Sequence, residues 1–172
     1  MEHVVLVDEH DTPLGTEEKL RAHQDGGRLH RAFSIFIFNS RGELLLQRRA
    51  AGKYHFGGLW TNTCCSHPRE NEPPEAAAHR KLVQEMGFDT ALEESFVFTY
   101  RAEDADSGLT EHELDHVLVG SFDGEPRVNA EEVADWKWML PGEIERDLHE
   151  NPRRYTPWFP IAFAKLLKIR PV

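Results

Sequence analysis

The chain reads as one α/β (α+β) domain, a mixed sheet sandwiched between helices. Three observations predict it. Short apolar, β-branched and aromatic runs recur along the chain, as in "RAFSIFIF" and "ELDHVLVGSF". Helical stretches are interleaved with them, the clearest being "PPEAAAHRKLVQEMG". Turn signals such as "NSRG" leave some neighbouring strands antiparallel, so the sheet is mixed rather than all-parallel. At 172 residues the chain is long enough to bury one sizeable core, and no repeat, low-complexity tract or linker divides it. The expected domain spans 1–172.

"VVLV" at 4–7 predicts a short strand. "TEEKLRAH" follows as a short helix with Thr16 at its cap, ending near the glycines of "DGGR". Residues 31–38 and 43–49 flank "NSRG" and predict a hairpin. The loop "AAGKYHFGG" then leads into "WTNTCCSHPRE" at 60–70. The helix that follows opens on proline and closes at Gly87, the usual asymmetry of helix ends. Strands are expected at 95–102, 113–122 and 134–140, and two closing helices over "PGEIERDLHENP" and "PWFPIAFAKLLKI".

The net charge of -10 argues against a nucleic-acid surface, which needs positive patches. The longest apolar runs are far too short to span a bilayer. The start, "MEHVVLVDEHD", has neither a basic leader nor a signal-length apolar core, so the expected location is the cytoplasm, where Cys64 and Cys65 stay thiols. The expected state is a monomer.

Chemistry concentrates in "WTNTCCSHP". Cys65-x-His67 admits three readings from its residues alone: two metal ligands, a nucleophile beside its base, or an acid beside a metal. His23, His30, His67, Glu111 and Glu113 together suit zinc, manganese or a related divalent ion. Glu111 and Glu113, two apart on a strand, aim at one point. With 10 histidines in the chain, spacing alone is a weak guide.

The helix from Arg80 to Phe88 resembles the end of the Nudix signature, with Glu72 where that signature has an earlier glutamate. Lys81 and Gln84 stand where Nudix hydrolases carry glutamates that hold magnesium, which leaves Glu85 alone. On that altered frame "RLHRAFSIFIFN", "WTNTCCSHP", "EHELDHVL" and "YTPWF" occur in order. Together they resemble the type 1 isopentenyl-diphosphate isomerases from His3 to about Lys165. The resemblance implies a Nudix-like fold and interconversion of isopentenyl and dimethylallyl diphosphate, a small-molecule isoprenoid diphosphate substrate. It implies Cys65 and Glu113 as the catalytic pair, with Tyr100 and Trp158 lining the reacting end. Metal ligands would be His23, His30, His67, Glu111 and Glu113 for one divalent ion (Mn2+, Zn2+ or Mg2+). Glu85 would help hold Mg2+ on the diphosphate, among Lys19, Arg49, Lys53 and Lys81. Cys64 reads as packing. Two other functions compete: a Nudix nucleotide pyrophosphohydrolase, which would need the replaced glutamates, and a non-catalytic metal- or diphosphate-binding module.

Overall fold

A computed structural model of the chain describes residues 2–169. The expected domain ends, 1 and 172, lie outside these described residues.

The centre of the sheet is β3 (His30–Phe38), which pairs along its whole length, in parallel, with β8 (Thr110–Ser121). β7 (Leu92–Glu103) lies outside β8, antiparallel to it. Three strands share the other side of β3: β1 (His3–Val7) at His30, β6 (Cys64–Ser66) at 33–35, and β4 (Leu44–Arg49) at Phe38. β4 in turn carries β9 (Val133–Met139) and β5 (Trp60–Thr61). The expected mixed sheet is therefore present.

β3 is buried on both faces, and its alternation sorts the core. Phe33, Ile35 and Ile37 meet Ala77, Ala78, Leu82 and Met86 of α2 (Pro74–Met86). Phe36, with Leu44 and Leu46, meets Phe159, Ala162 and Phe163 of α4 (Trp158–Ile169), and Ile144 of α3 (Pro141–Glu150) joins them. Each of the buried leucine, isoleucine, methionine and phenylalanine side chains contributes about 1.5–3 kcal/mol. α2 ends as expected: Gly87 takes φ 74°, and a side chain there would meet the Arg127 carbonyl at 2.3 Å.

Three expectations are corrected. Thr16 caps no helix: Pro13–Glu18 is β2, an edge strand paired with β1, and the helix α1 covers only Lys19–Ala22, capped by Glu18. Pairing with β1 outweighs the local helical preference of its two glutamates. The 31–49 segment is not a simple hairpin, since β3 and β4 pair only at Phe38 and Leu44 before separating. The opening lets β6 enter beside β3. Lastly, β5 and β6 arise within "WTNTCCSHPRE", where no strand is expected from the sequence. Among the described residues no helix is long and apolar enough to cross a membrane.

Candidate active site and metal centre

Alternation along β3 and β8 sends His30, Ser34, Glu111, Glu113 and Asp115 to the sheet face that also holds Phe36 and Val117. Cys65 pairs with Ser34 on β6, and Tyr100 pairs with Glu113 from β7. Trp158 reaches the same cavity from the start of α4. Cys65 and Glu113 thus project from strands on opposite sides of β3 into one space.

Five ligand atoms, from His23, His30, His67, Glu111 and Glu113, lie within 4.8 Å of one another. His23 closes α1, His30 opens β3 and His67 follows β6, so the cluster joins four separated segments. His23 Nδ1 donates to the Lys19 carbonyl (2.6 Å) and His30 Nδ1 to that of Arg28 (2.7 Å). Those bonds fix the tautomers and leave both Nε2 lone pairs pointing inward. There His23 Nε2 meets Glu111 Oε2 at 3.0 Å, and His30 Nε2 meets Glu113 Oε1 at 3.5 Å, acceptor against acceptor. A cation between them satisfies all of these atoms at once, so the donor set is compatible with a divalent metal.

The charges agree. Burial lowers the pKa of His23, and lowers that of His67 to about 3, so both imidazoles are neutral, as ligands must be. Burial and the charge of Glu113 raise Glu111 well above the carboxylate range. Burial works the same way on Glu113, but the imidazoles of His30 and His67 beside it outweigh burial and hold Glu113 below that range. Two carboxylates this close ionise together only beside a cation. Tyr100 donates its hydroxyl to Glu113 and is itself pushed up by burial. Cys65 is half-buried, and its thiol is pushed up to about 12 by burial despite Arg49 Nη1 at 4.0 Å. It carries its proton at neutral pH.

On the same cavity wall Lys81 Nζ meets Glu85 Oε1 at 3.1 Å, and Lys53 is paired with Glu132. Lys19 Nζ meets Glu2 at 2.9 Å. Glu85 Oε2 also accepts from Gln47 (3.1 Å) and from the buried Cys64 thiol (3.5 Å). The signature position Gln84 faces solvent, and Glu72 is doubly bonded to Arg80 at 2.8 and 2.7 Å. Arg49 lies elsewhere than among the lysines, beside Cys65 and 5.5 Å from the Trp158 ring.

All thirteen expected site residues are therefore brought together, eleven on the cavity wall and His23 and His30 behind it in the metal cluster. Sequence reasoning missed Tyr54, His55, Glu132, Glu2 and Asp115. His55, in the loop "AAGKYHFGG", contacts Glu111 Oε1 and is lowered to about 2 by burial. Asp115 accepts from Ser34 at 2.7 Å and was legible as the third residue of an alternation after Glu111 and Glu113.

Residues 28–159 match the family model for the NUDIX domain, and the fold agrees. The DR0079 protein of Deinococcus radiodurans superposes with a TM-score of 0.73 over 87% of this chain and 90% of its own, at 20% identity. A Halorhodospira halophila protein named isopentenyl-diphosphate Delta-isomerase is 52% identical, over 100% of this chain and 97% of its own. One from Pectobacterium atrosepticum with the same name is 50% identical over 95% and 90%. With its NUDIX frame and these relatives, the chain belongs to the isopentenyl-diphosphate Delta-isomerase family.

Proposed function

We propose that this chain interconverts isopentenyl and dimethylallyl diphosphate by protonation and deprotonation through a tertiary carbocation. The observation that carries the reading is the placement of Cys65 and Glu113, from strands on either side of β3, in the wall of one cavity that Trp158 also lines. An alkene is a very weak base, so the acid must be aimed and water kept out. In the forward direction the thiol S–H bond breaks as a C–H bond forms at the terminal alkene carbon, leaving positive charge on the adjacent tertiary carbon. A carboxylate oxygen of Glu113 then takes the proton from the methylene on the far side, and the new double bond forms. Tyr100, bonded to Glu113, holds that carboxylate in place. The face of Trp158 stabilises the cation by an amount on the order of 1–2 kcal/mol in a dry site.

His23, His30, His67, Glu111 and Glu113 would hold one divalent ion, Mn2+, Zn2+ or Mg2+. When bound it fixes the orientation of Glu113 and neutralises the paired carboxylates. The substrate's diphosphate belongs with Lys19, Lys53 and Lys81, with Arg49 between it and the reacting carbons, and with Mg2+ held in part by Glu85. Binding energy there is remote from the reaction and positions it. We read 1–172 as one domain acting as a monomer in the cytoplasm.

The test is direct: incubate the protein with isopentenyl diphosphate and Mg2+, then assay the acid-labile allylic product. Isomerisation supports the reading. Release of phosphate without isomerisation would assign a hydrolase instead.

A further inference from the structure

Asn62 lies between β5 and β6, is fully buried, and has no part in the roles above. Its side chain makes four hydrogen bonds. Oδ1 accepts from Trp158 Nε1 (3.2 Å) and Thr61 Oγ1 (2.8 Å). Nδ2 donates to the carbonyls of Ile35 (3.2 Å) and Cys64 (2.9 Å). Two donors and two acceptor positions are the full capacity of a carboxamide, so the group has one orientation and no freedom to turn.

The four partners are informative. Ile35 belongs to β3, the rigid centre of the sheet. The Cys64 carbonyl belongs to the peptide that joins Cys64 to Cys65. Trp158 Nε1 is the single polar atom of the indole. One planar group therefore references both the peptide before the acid and the ring opposite it to the same strand. Two other ties join this loop to the segment before α4: Thr156 N to the Trp60 carbonyl (2.9 Å), and the hydroxyls of Thr61 and Thr156 (2.8 Å). These seat the helix, and neither touches the indole. Phe56 (5.5 Å) and Tyr100 (6.0 Å) pack on the ring, but apolar contact does not select the direction of the N–H as an acceptor does.

We propose that Asn62 is a positioning residue for the isomerisation, holding the π face of Trp158 in register with the Cys65 thiol. The inference rests on the isomerase reading. A ring turned away loses its hold on the cation while the diphosphate, gripped by lysines that do not touch the indole, stays bound. Asn62 should therefore act on turnover rather than on substrate affinity.

The experiment uses the metal-replete protein and six forms: wild type, Asn62→Ser, Asn62→Asp, Thr156→Val, Trp158→Phe and the double variant Asn62→Ser/Trp158→Phe. Turnover and KM are measured, with affinity for a diphosphate bearing a tertiary ammonium in place of the cationic carbon and for its neutral carbon isostere. Asn62→Ser should lower kcat roughly 10–100-fold, as expected for an ångström-scale misplacement, with KM changed less than about threefold. Its preference for the ammonium over the neutral compound should shrink with kcat. Thr156→Val should lower Tm but keep that preference within about twofold of wild type, because its bond only seats the helix. In the Trp158→Phe background no indole N–H remains to be aimed, so Asn62→Ser should cost less than about threefold more. Asn62→Asp, which keeps an acceptor for the indole, is measured beside the serine variant and should retain more of the preference at any stability.

Full additivity of the two mutations, or an unchanged ammonium preference in an isomerising Asn62→Ser protein, overturns the clamp alone. Equal preferences in the serine and aspartate variants do so too. A wild type that does not isomerise overturns the functional reading, and the clamp falls with it.

Discussion

Cys64 and Cys65 are adjacent in the chain but face opposite sides of the sheet, so two one-residue changes separate chemistry from packing. The Cys64 thiol is wholly buried in the core against α2 and donates to Glu85 at 3.5 Å. The Cys65 thiol is half-buried on the cavity wall and keeps its proton, its pKa being pushed up to about 12 by burial. Cys65→Ala removes the acid. A positioned general acid contributes about 10²–10⁴-fold. At 1.36 kcal/mol per tenfold, that is a barrier increase of about 3–5 kcal/mol. Because the half-buried Cys65 only flanks the α4-side core and does not fill it, Tm should change by no more than about 2 °C. Cys64→Ala should do the reverse. Deleting one buried heavy atom costs about 1 kcal/mol and lowers Tm by about 2–4 °C in a domain of this size. Turnover should stay within about threefold of wild type, since Glu85 keeps Lys81 and Gln47. The assays are conversion of isopentenyl diphosphate and thermal denaturation on the same preparations. An inactive Cys64→Ala beside an active Cys65→Ala would refute the assignment of the acid.

Glu113→Gln should lower turnover by several orders of magnitude and weaken metal binding, since it removes both a titrating group and a charged ligand. Near-normal turnover in the metal-loaded variant excludes Glu113 as the proton carrier. His23→Ala and His67→Ala should lower metal content and Tm together, because the ligands join four separate segments; metal analysis showing full occupancy in both would remove the histidines from the site. Glu72→Gln addresses acid stability. The hydrogen bonds from Arg80 hold the Glu72 carboxyl below its ordinary 4.5. The stability from that pair is thus present above pH 4.5 and lost as pH falls through the lower folded value. The glutamine variant should be less stable at neutral pH and show a shallower acid limb in denaturant titrations; a limb identical to wild type would show that the pair contributes nothing.

What was legible in the sequence had local or order-dependent signals. α2 announced itself through proline, alanines and Gly87, and β3 and β8 through long β-branched runs. The metal cluster was not legible from spacing, because His23, His30, His67 and the Glu111–Glu113 pair converge only when β3 and β8 align in parallel. Resemblance to a family's motifs in sequence order supplied that convergence. β2 was illegible because "PLGTEE" has the composition of an exposed edge, with proline and charge in place of an apolar alternation. β5 and β6, two and three residues long, are too short for any periodicity. His55 and Glu132 lie in loops, and only the fold of those loops carries them to Glu111 and Lys53. Asn62 was quoted within its motif and still missed, since a buried amide shows its use only through its partners.

The altered signature on α2 explains why a NUDIX frame should serve a cation here. Two acidic positions, lysine and glutamine in this chain, would otherwise surround Glu85 with negative charge able to collect magnesium ions around a diphosphate. Lys81 instead turns inward, 3.1 Å from Glu85, and Gln84 turns to solvent. In the proposed reaction Lys81 would offer the diphosphate a positive charge where a hydrolase carries a metal-binding carboxylate, and the diphosphate stays attached to its carbon. Lys53 and Lys81 gather at Glu132, while Lys19 lies beside the imidazole cluster, its carbonyl taking the His23 Nδ1 proton. The same cavity wall carries Cys65, Tyr100 and Trp158, a thiol and two aromatic rings with no formal charge at neutral pH. In the proposed reaction a transient carbocation would meet the Trp158 face and the Glu113 carboxylate, with the Arg49 guanidinium held 4.0 Å from the Cys65 sulfur and 5.5 Å from the indole. Charge placement along one cavity, more than any single residue, separates proton transfer at carbon from hydrolysis at phosphorus.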